Sequence, residues 1–257
     1  MRVAAGGFAS KRIAKIPGVV RHGVARAISR AGVCSRTKAR EYVLLGRVYV
    51  DGRRVSDPEF PTTAASRIEI DGVRLGEAAR VYLMLNKPRG LVTSTTDERG
   101  RDTVYRCFEQ SDLPWMAPVG RLDKASEGLL LFSNDPAWSA AISDPASGPN
   151  KTYHVKIDRL ADAKLLTELE RGVTDQGEHL CANSVRVLRC AERSAWLEIV
   201  LDEGRNRQIR RLLAAFDIEV LRLLRVAIGE LPLGDLAKGA WRALTVEEVK
   251  ALGASWT

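Results

Sequence analysis

The chain has 257 residues, of which 45% are apolar and 28% are charged. This composition is typical of a soluble globular protein of one or two domains, and it excludes a fully disordered chain, a fibrous repeat and a coiled coil. No apolar run approaches the ~20 residues of a membrane-spanning helix, so we expect no membrane partner. The formal net charge is +8, and the first 80 residues carry 16 Lys and Arg against 7 Asp and Glu. Positive charge concentrated in this way favours a polyanionic partner, and nucleic acid is the first candidate.

Two features of the sequence bear on the cellular compartment. Residues 1–20 are basic, contain no acid and lack a sustained apolar segment, so they are a poor secretory signal. They are compatible with an organellar transit peptide or with a flexible basic tail that contacts RNA, and we favour the tail. The 4 cysteines form no Cys-x-x-Cys pair, so we interpret them as reduced thiols of a cytoplasmic protein.

Two short helices are predicted at the start of a module that spans residues 21–75. Apolar residues recur at helical spacing in both segments, and a glycine follows each one. The apolar positions are Val24, Ala27, Ile28 and Ala31 in the first segment, and Ala39, Tyr42, Val43 and Leu45 in the second. The positions expected to face solvent carry five cations, Arg26, Arg30, Arg36, Lys38 and Arg40.

Two hairpins are predicted to complete this module. Alternating segments flank Asp51-Gly52 and again Asp71-Gly72, and Asp-Gly is a strong signal for a two-residue hairpin turn. The segment R-A-G-x-x-S-R followed by G-R-V-x-V-D-G resembles the S-four RNA-binding domain, whose helices present basic side chains to structured RNA. The alternative is a generic two-helix module whose arginines serve solubility.

The rest of the chain is predicted to be a second domain of the mixed α+β class, at residues 82–257 after a linker at 76–81. Short β-like segments such as TYHVKI and AWLEIVL alternate with helical ones such as LADAKLLTELERG. There is no phosphate-binding P-loop, no dinucleotide-binding glycine motif and no zinc-protease or nucleophile-elbow motif. The 3 histidines are scattered in the sequence, so we expect no metal and no cofactor.

The most informative segment is GRLDKASEGLLLFSND, at residues 120–135. Its charged residues adjoin a fully apolar run, which predicts a buried strand or a helix start. We expect Asp123 to lie at the edge of a core, where an ion pair with an arginine can hold an aspartate ionised. From this pattern alone, a catalytic aspartate and a purely structural Arg–Asp pair are equally good interpretations.

This segment resembles the active-site motif of the RNA pseudouridine synthases of the RsuA-like branch. Further motifs of that branch occur in order at residues 87–90 (K-P-x-G), 151–155 (K-x-Y-x-V), 203–211 (E-G-R-N-x-Q-I-R-R) and 231–245. The resemblance covers about residues 22 to 250 and includes an S-four domain in the expected place. It departs at Asp135-Pro136, where the family has Asp-Gly. It implies a catalytic domain built on a mixed, mainly antiparallel sheet flanked by helices.

The resemblance also implies roles for individual residues in the isomerisation of uridine to pseudouridine, a reaction without net redox change. Asp123 is the expected nucleophile and Arg210 its ion-pair partner. Tyr153 is the expected side chain that stacks on the base and is proposed to take the C5 proton. Arg121 is expected to fill the gap left by the flipped-out uridine. Lys151 is expected to contact a phosphate. Leu201 is expected to form an apolar wall of the pocket, and a plain place in the strand core is an equally good interpretation of it. The other expected contacts to substrate or RNA are Arg205 and Gln208.

Three hypotheses for the function follow from these observations. The first is an rRNA pseudouridine synthase that acts as a cytoplasmic monomer on a specific uridine of small- or large-subunit rRNA. The second is an RNA-binding or ribosome-assembly protein without catalysis, which loss of Asp123 would have favoured. The third is a hydrolase with a carboxylate pair, Asp123 and Glu127, although Glu127 precedes a glycine and is predicted to lie in a loop.

Overall fold

The protein is described by a computed structural model that covers residues 22–76, 79–95, 97 and 99–253. The basic tail predicted at residues 1–20 therefore lies outside the described residues. Of these residues, 22–28 and 36–75 form one compact unit, and 29–35 and 76–253 form another. The domain boundaries inferred from the sequence stay predictions. In the described part of the chain, no helix is both long and apolar enough to cross a membrane.

The first unit contains two short helices and a small sheet. Its elements are β1 His22–Gly23, α1 Val24–Arg30, α2 Arg36–Leu44, β2 Val48–Val50, β3 Arg53–Arg54, β4 Pro61–Thr62, β5 Ile68–Ile70 and β6 Val73–Arg74. Strands β3-β2-β5-β6 form a four-stranded antiparallel sheet. Asp51 and Gly52 have φ angles of 51° and 76°, and Asp71 and Gly72 have 51° and 79°. Positive φ at both central residues defines the hairpin turn that Asp-Gly favours, so both predicted hairpins are confirmed.

The helices of this unit bury one face and expose the other. Helix α1 buries Val24, Ala25 and Ile28, and α2 buries Ala39 and Val43. The prediction for Leu45 was wrong: it follows the end of α2 and is 65% exposed.

All five cations predicted to face solvent are exposed. Arg36 and Arg40 both contact Glu59, at 3.0 and 3.5 Å, and Lys38 contacts Glu41 at 2.7 Å. Ion pairs as exposed as these contribute little to stability, so they do not prevent the cations from contacting a polyanion.

The second unit is a large sheet with helices on both faces. Its strands are β7 Tyr82–Lys87, β8 Ala117–Val119, β9 Glu127–Ser133, β10 Lys151–Ile157, β11 Val173–Asp175, β12 Glu178–Leu180, β13 Ser184–Cys190, β14 Ala195–Leu201, β15 Val220–Ile228, β16 Leu231–Pro232 and β17 Trp241–Ala243. Its α-helices are α3 Pro136–Ser143, α4 Ala163–Arg171, α5 Gln208–Ala214 and α6 Val246–Leu252, and a 3₁₀-helix spans Val104–Phe108.

The strand order of the main sheet is β13-β14-β10-β15-β9-β7-β17, with β16 beside β15 and β8 beside β9. Every pairing is antiparallel except that of β9 with β15, which is parallel. The predicted class, α+β with a mixed and mainly antiparallel sheet, is thereby confirmed.

Strand β9 is buried along its whole length, which explains its continuous apolar sequence. Leu130 and Phe132 join the large core on one face of the sheet, and Leu129 and Leu131 join a smaller core on the other. The following helix α3 begins with Pro136 at its first turn, and the Asp135 carboxylate accepts hydrogen bonds from the backbone N–H groups of Ala137 and Trp138. The Asp-Pro departure from the family motif is thus a well-formed helix start.

We expect Gly128→Ala to destabilise the second unit by about 3 kcal/mol or more. Gly128 has φ +104°, and a Cβ there would overlap the carbonyl oxygen of Arg225 and lie 2.7 Å from a methyl of Leu224. This is where β9 pairs with β15, so the strands would have to separate. Gly177→Ala is the matched control, because its φ is +80° but the space around it is open. Denaturant unfolding measures the free energy of unfolding of both variants. Equal losses of about 1–2 kcal/mol in Gly128→Ala and Gly177→Ala would contradict the prediction.

Candidate active site

One cavity of about 580 Å³ collects the residues that the sequence singled out in the second unit. It is lined by all eight of them, Arg121, Asp123, Lys151, Tyr153, Leu201, Arg205, Gln208 and Arg210. They come from a loop before β9, from the neighbouring strands β10 and β14, and from the region where α5 begins. Segments nearly 90 residues apart in the sequence thus meet at one site.

The lining of this cavity is strongly cationic. Six basic side chains line it, Arg121, Lys151, Arg205, Arg207, Arg210 and Arg225, against two acidic ones, Asp123 and Glu203. A concave surface with this excess of one charge attracts a polyanion. The cavity is therefore suited to a nucleic-acid segment.

The loop that carries Asp123 is fixed through five successive backbone carbonyls. The carbonyl of Leu122 accepts from Thr93 Oγ1 at 2.7 Å, and that of Lys124 accepts from the Gly90 N–H at 2.7 Å. The carbonyl of Ala125 accepts from Arg210 at 3.5 Å. The remaining two, those of Asp123 and Ser126, accept from the Lys87 ammonium at 3.2 and 2.8 Å. With its backbone held this way, the loop presents the Asp123 side chain in a fixed position.

Lys87 is the centre of this arrangement. It is fully buried at the end of β7, and its ammonium also donates to the carbonyl of Pro88 at 3.1 Å. Burial lowers the pKa of Lys87 to about 8, while the nearby Asp123 charge opposes that shift. Sequence analysis noted Lys87 as part of a motif but assigned it no role. The contacts show that it positions the loop.

Arg210 lies close to Asp123 without a direct ion pair. Its guanidinium donates to the carbonyl of Val220 at 3.3 Å as well as to Ala125, and its Nε is buried without a hydrogen-bond partner. Burial lowers the pKa of Arg210, and the Asp123 charge acts in the opposite direction. The expected pairing of the two side chains stays a prediction, since no hydrogen bond joins them among the described residues.

Strands β10 and β14 supply the floor of the cavity. Along β10 the side chains alternate, so that Lys151 and Tyr153 are buried on the cavity side while Thr152 and His154 are partly exposed on the other. Leu201 lies opposite Lys151 on β14 and is buried. The alternation follows from the period of two that a β-strand imposes on its side chains.

The loop before α5 is organised by Gln208. Its side-chain amide donates to Glu203 at 2.9 Å and to the carbonyl of Cys181 at 3.1 Å, and its oxygen accepts from the Arg205 N–H at 3.1 Å. Arg205 in turn donates to Glu203 at 2.7 Å. Both the nitrogen and the oxygen of the Gln208 amide form hydrogen bonds within the protein, so Gln208 supports the loop.

The prediction that Glu127 lies in a loop was wrong. It is the first residue of β9 and is buried, with its carboxylate paired to Arg222 and, at 2.6 Å, to Lys238. Burial alone would raise the pKa of Glu127, but these two cations lower it overall. Because Glu127 is neutralised in this way and does not line the cavity, it cannot serve as the second acid of a hydrolase.

Two models of known protein families match the chain. A family model described as RNA pseudouridylate synthase matches residues 81–215, and an S4 domain model matches residues 24–68. The chain belongs to the RNA pseudouridylate synthase family. This pseudouridine synthase is therefore an isomerase, and its N-terminal unit carries an S4 (S-four) domain. Nowhere in the described residues do three or more metal-ligating side chains cluster.

Individual relatives cover nearly the whole pseudouridine synthase. The chain is 35% identical over 232 residues to ribosomal large subunit pseudouridine synthase B of Bacillus subtilis, which covers 89% of this chain and 94% of that protein. It is 34% identical over 233 residues to an uncharacterized RNA pseudouridine synthase of Aquifex aeolicus, with coverages of 88% and 91%. A crystal structure of a pseudouridylate synthase superposes with a TM-score of 0.62 at 27% identity, covering 90% of this chain and 99% of that one.

Two cations that line the cavity of this pseudouridine synthase, Arg207 and Arg225, were assigned no role from the sequence. Arg207 immediately precedes α5 and has a left-handed backbone conformation, with φ 50°. Arg225 lies within β15 and is buried, where the alternation of a strand predicts an apolar residue. A charged residue on the buried side of an otherwise apolar strand is the signal that could have identified Arg225.

Proposed function

We propose that this protein isomerises a specific uridine of ribosomal RNA to pseudouridine, with Asp123 as the nucleophile. The observation that carries the proposal is the cavity, in which residues of three separate motifs, at 120–135, 151–155 and 203–211, meet around Asp123. Ribosomal RNA is the proposed substrate because the name of the Bacillus subtilis relative specifies the large ribosomal subunit. We further propose that the protein acts in the cytoplasm as a monomer and needs no cofactor.

The reaction sets three requirements for the site. The glycosidic bond between C1′ and N1 breaks, a bond between C1′ and C5 forms, and the C5 proton leaves while N1 gains one. The site must therefore supply a carboxylate near the sugar and base, a group that accepts the C5 proton, and a way to hold a uridine outside its helix. Flipping a base out costs a few kcal/mol, which contacts to the flipped nucleotide offset.

Asp123 and Arg210 are proposed to supply the reactive carboxylate and its partner. A carboxylate must be ionised to act as a nucleophile, and exclusion of water by the bound uridine would favour its neutral form. The nearby Arg210 counteracts this and aims the carboxylate. The unpartnered Nε of Arg210 leaves a donor for that interaction.

Tyr153, Leu201 and Arg121 are proposed to hold the flipped nucleotide. Tyr153 is buried and lines the cavity, which supports a role for its ring in stacking on the uracil. Leu201 forms an apolar wall beside it. Arg121 is exposed at the cavity rim, from which a guanidinium can replace the lost stacking and contact a phosphate. Arg205 is proposed as a further RNA contact, and Gln208 acts through the loop that it supports.

The S4 domain is proposed to bind the structured RNA around the target. Its five exposed cations lie on two short helices, which are rigid supports for contacts to phosphates. Contacts of this kind neutralise phosphates and release counterions without reading base identity directly. Selection of one uridine would then combine the shape of the RNA with the cavity's fit to uracil.

Incubation of the full chain with rRNA from cells that lack this protein tests the proposal. Pseudouridine is mapped at every position before and after incubation. We expect one uridine to be converted without added metal or cofactor. If no uridine of the small- or large-subunit rRNA is converted while the protein still binds the RNA, the proposed substrate is wrong. RNA binding alone then becomes the better interpretation.

A further inference from the structure

Half of the main sheet has a face that belongs to neither the large nor the smaller core. On the cavity side of strands β13, β14, β10 and β15, helices α4 and α5 pack against the large core. On the opposite side, α3 and α6 complete the smaller core, which takes no residue from β10, β13 or β14. We name this second side of the four strands the outer sheet face. Among the described residues, its side chains are exposed or half-buried along β14 and β10.

One row of side chains crosses the outer sheet face from strand to strand. The register places Arg189 opposite Trp196, Trp196 opposite Lys156, and Lys156 opposite Arg222. Directly opposite residues of antiparallel strands lie on the same face, so these four side chains are neighbours. Tyr153, which lines the cavity, lies on the other face of β10. Because neighbouring strands are ~4.8 Å apart, the row is about 14 Å long. We name its four residues the outer row.

Trp196 is half-buried between the two guanidinium groups of the outer row. Its ring centroid lies 5.2 Å from Cζ of Arg189 and 5.8 Å from Cζ of Arg222. Cation–π contacts of this length hold the groups next to one another. The outer row therefore presents an aromatic ring together with two guanidinium planes. Nucleic-acid bases stack on planes of both kinds.

The positive charge of the outer row is only partly balanced. Arg222 pairs with the buried Glu127, which also pairs with Lys238 at 2.6 Å. Lys156 and Arg189 form no ion pair with any described residue. Cations that lie side by side without carboxylates attract a polyanion.

The next row along the strands adds no excess of negative charge. Its acid, Glu198, contacts Arg186 at 2.5 Å and His154 at 3.4 Å. The carboxylate of Glu198 is thus already paired within its own row. It does not neutralise Lys156 or Arg189, and positive charge remains in excess along the outer row.

We propose that the outer row binds a single-stranded segment of the substrate RNA on the side of the sheet opposite the cavity. The inference rests on the proposed function, because rRNA supplies the segment. Lys156 and Arg189 contact its phosphates, and Trp196 stacks on one of its bases. A sheet surface that combines an aromatic ring with cations binds single strands in this way. An acidic protein segment would match the charge alone and would leave the ring without a planar partner.

The double variant Lys156→Gln/Arg189→Gln tests the phosphate contacts. The probe is rRNA from cells that lack this protein, and its affinity for the full chain is measured at several salt concentrations. Two lost contacts to a single strand lower the slope of log affinity against log salt by about 1.4, which is roughly 20-fold in affinity at 0.1 M salt. Arg222 is left unchanged, because Glu127 is buried against it.

The double variant Lys164→Gln/Arg171→Gln is the matched control. It also removes one lysine and one arginine, but both are exposed residues of α4, which packs on the cavity side of the sheet. Its affinity and its salt slope should equal those of the wild type. Thermal unfolding of all variants verifies that each is folded.

Trp196→Leu tests the stacking contact separately. Leucine keeps an apolar side chain at this half-buried position but cannot stack on a base. We expect at least about a fivefold loss of affinity for rRNA at an unchanged salt slope. If Trp196→Leu does not fold, the double variant of Lys156 and Arg189 decides the question alone.

Three outcomes separate the outer row from the proposed function. A Lys156→Gln/Arg189→Gln variant that binds rRNA like its control overturns the inference, and the face is then left to solvent or to an acidic protein. In a protein that converts uridine, the double variant should raise KM by roughly the loss of affinity, with a much smaller effect on kcat. A loss of kcat at unchanged KM also overturns the inference. Weaker rRNA binding by the double variant of a protein that converts no uridine leaves the outer row standing and rejects the proposed function.

Discussion

Asp123→Asn is expected to lower pseudouridine formation by at least ~10³-fold while the protein continues to bind RNA. The substitution keeps the shape of the side chain and the backbone contacts of its loop, so the five held carbonyls remain in place. It removes the negative charge that a nucleophile requires. RNA affinity is retained or rises, because the change removes one of only two acids in a cavity with six cations.

The measurement compares initial rates of conversion and RNA affinity for the two proteins at equal concentrations. Asp235→Asn serves as the matched control, since Asp235 is exposed and does not line the cavity. It should match the wild type in both assays. An Asp123→Asn variant that converts uridine at the wild-type rate would show that the carboxylate is not the reactive group.

Lys87→Met is expected to lower kcat by about 100-fold, because displacing a reacting group by about 1 Å can cost that factor. Methionine fills a similar volume but cannot donate to the carbonyls of Asp123 and Ser126. The loop then loses two of the contacts that hold Asp123 in place. KM should change much less than kcat, since Lys87 is buried below the loop and does not line the cavity.

Lys124→Met is the control for this variant, because Lys124 belongs to the same loop but its side chain is exposed. It should retain nearly full kcat. A Lys87→Met variant that is fully folded and as active as the wild type would contradict the positioning role.

The wild type and the Lys87→Met variant also test how stability depends on pH. In the folded chain the pKa of Lys87 is about 8, whereas in the unfolded chain it is about 10.4. Between these values the unfolded state binds more protons, so the wild type gains stability relative to Lys87→Met as pH rises from 8 to 10.4. Denaturant unfolding of both proteins at several pH values measures the difference. A constant difference would mean that the lysine is not desolvated.

Much of the fold and of the site follows from local patterns in the sequence. The β-like segments TYHVKI and AWLEIVL predicted β10 and β14, the helical segment LADAKLLTELERG predicted α4, and Asp-Gly predicted both hairpin turns. The motifs also identified residues that line one cavity, including Asp123, Tyr153 and Arg210. These predictions succeeded because turn chemistry and hydrophobic period depend mainly on neighbouring residues.

Other features depend on contacts between distant segments, and only the tertiary structure decided them. Glu127 lies in a strand because β9 pairs with β15, and its charge is neutralised by cations about 100 residues further along. Lys87 holds the loop of Asp123 across 36 to 39 positions of sequence.

The sequence by itself thus determined the class of fold, the excess of positive charge in the first third of the chain and the motif that contains Asp123, the proposed nucleophile. The tertiary structure decided which side chains hold that aspartate and which cations remain without a partner. The physical reason is that pairing between strands brings together groups whose separation along the chain carries no local signal. Lys156 and Arg222 illustrate this, because the pairing of β10 with β15 places them side by side although they lie far apart in the sequence.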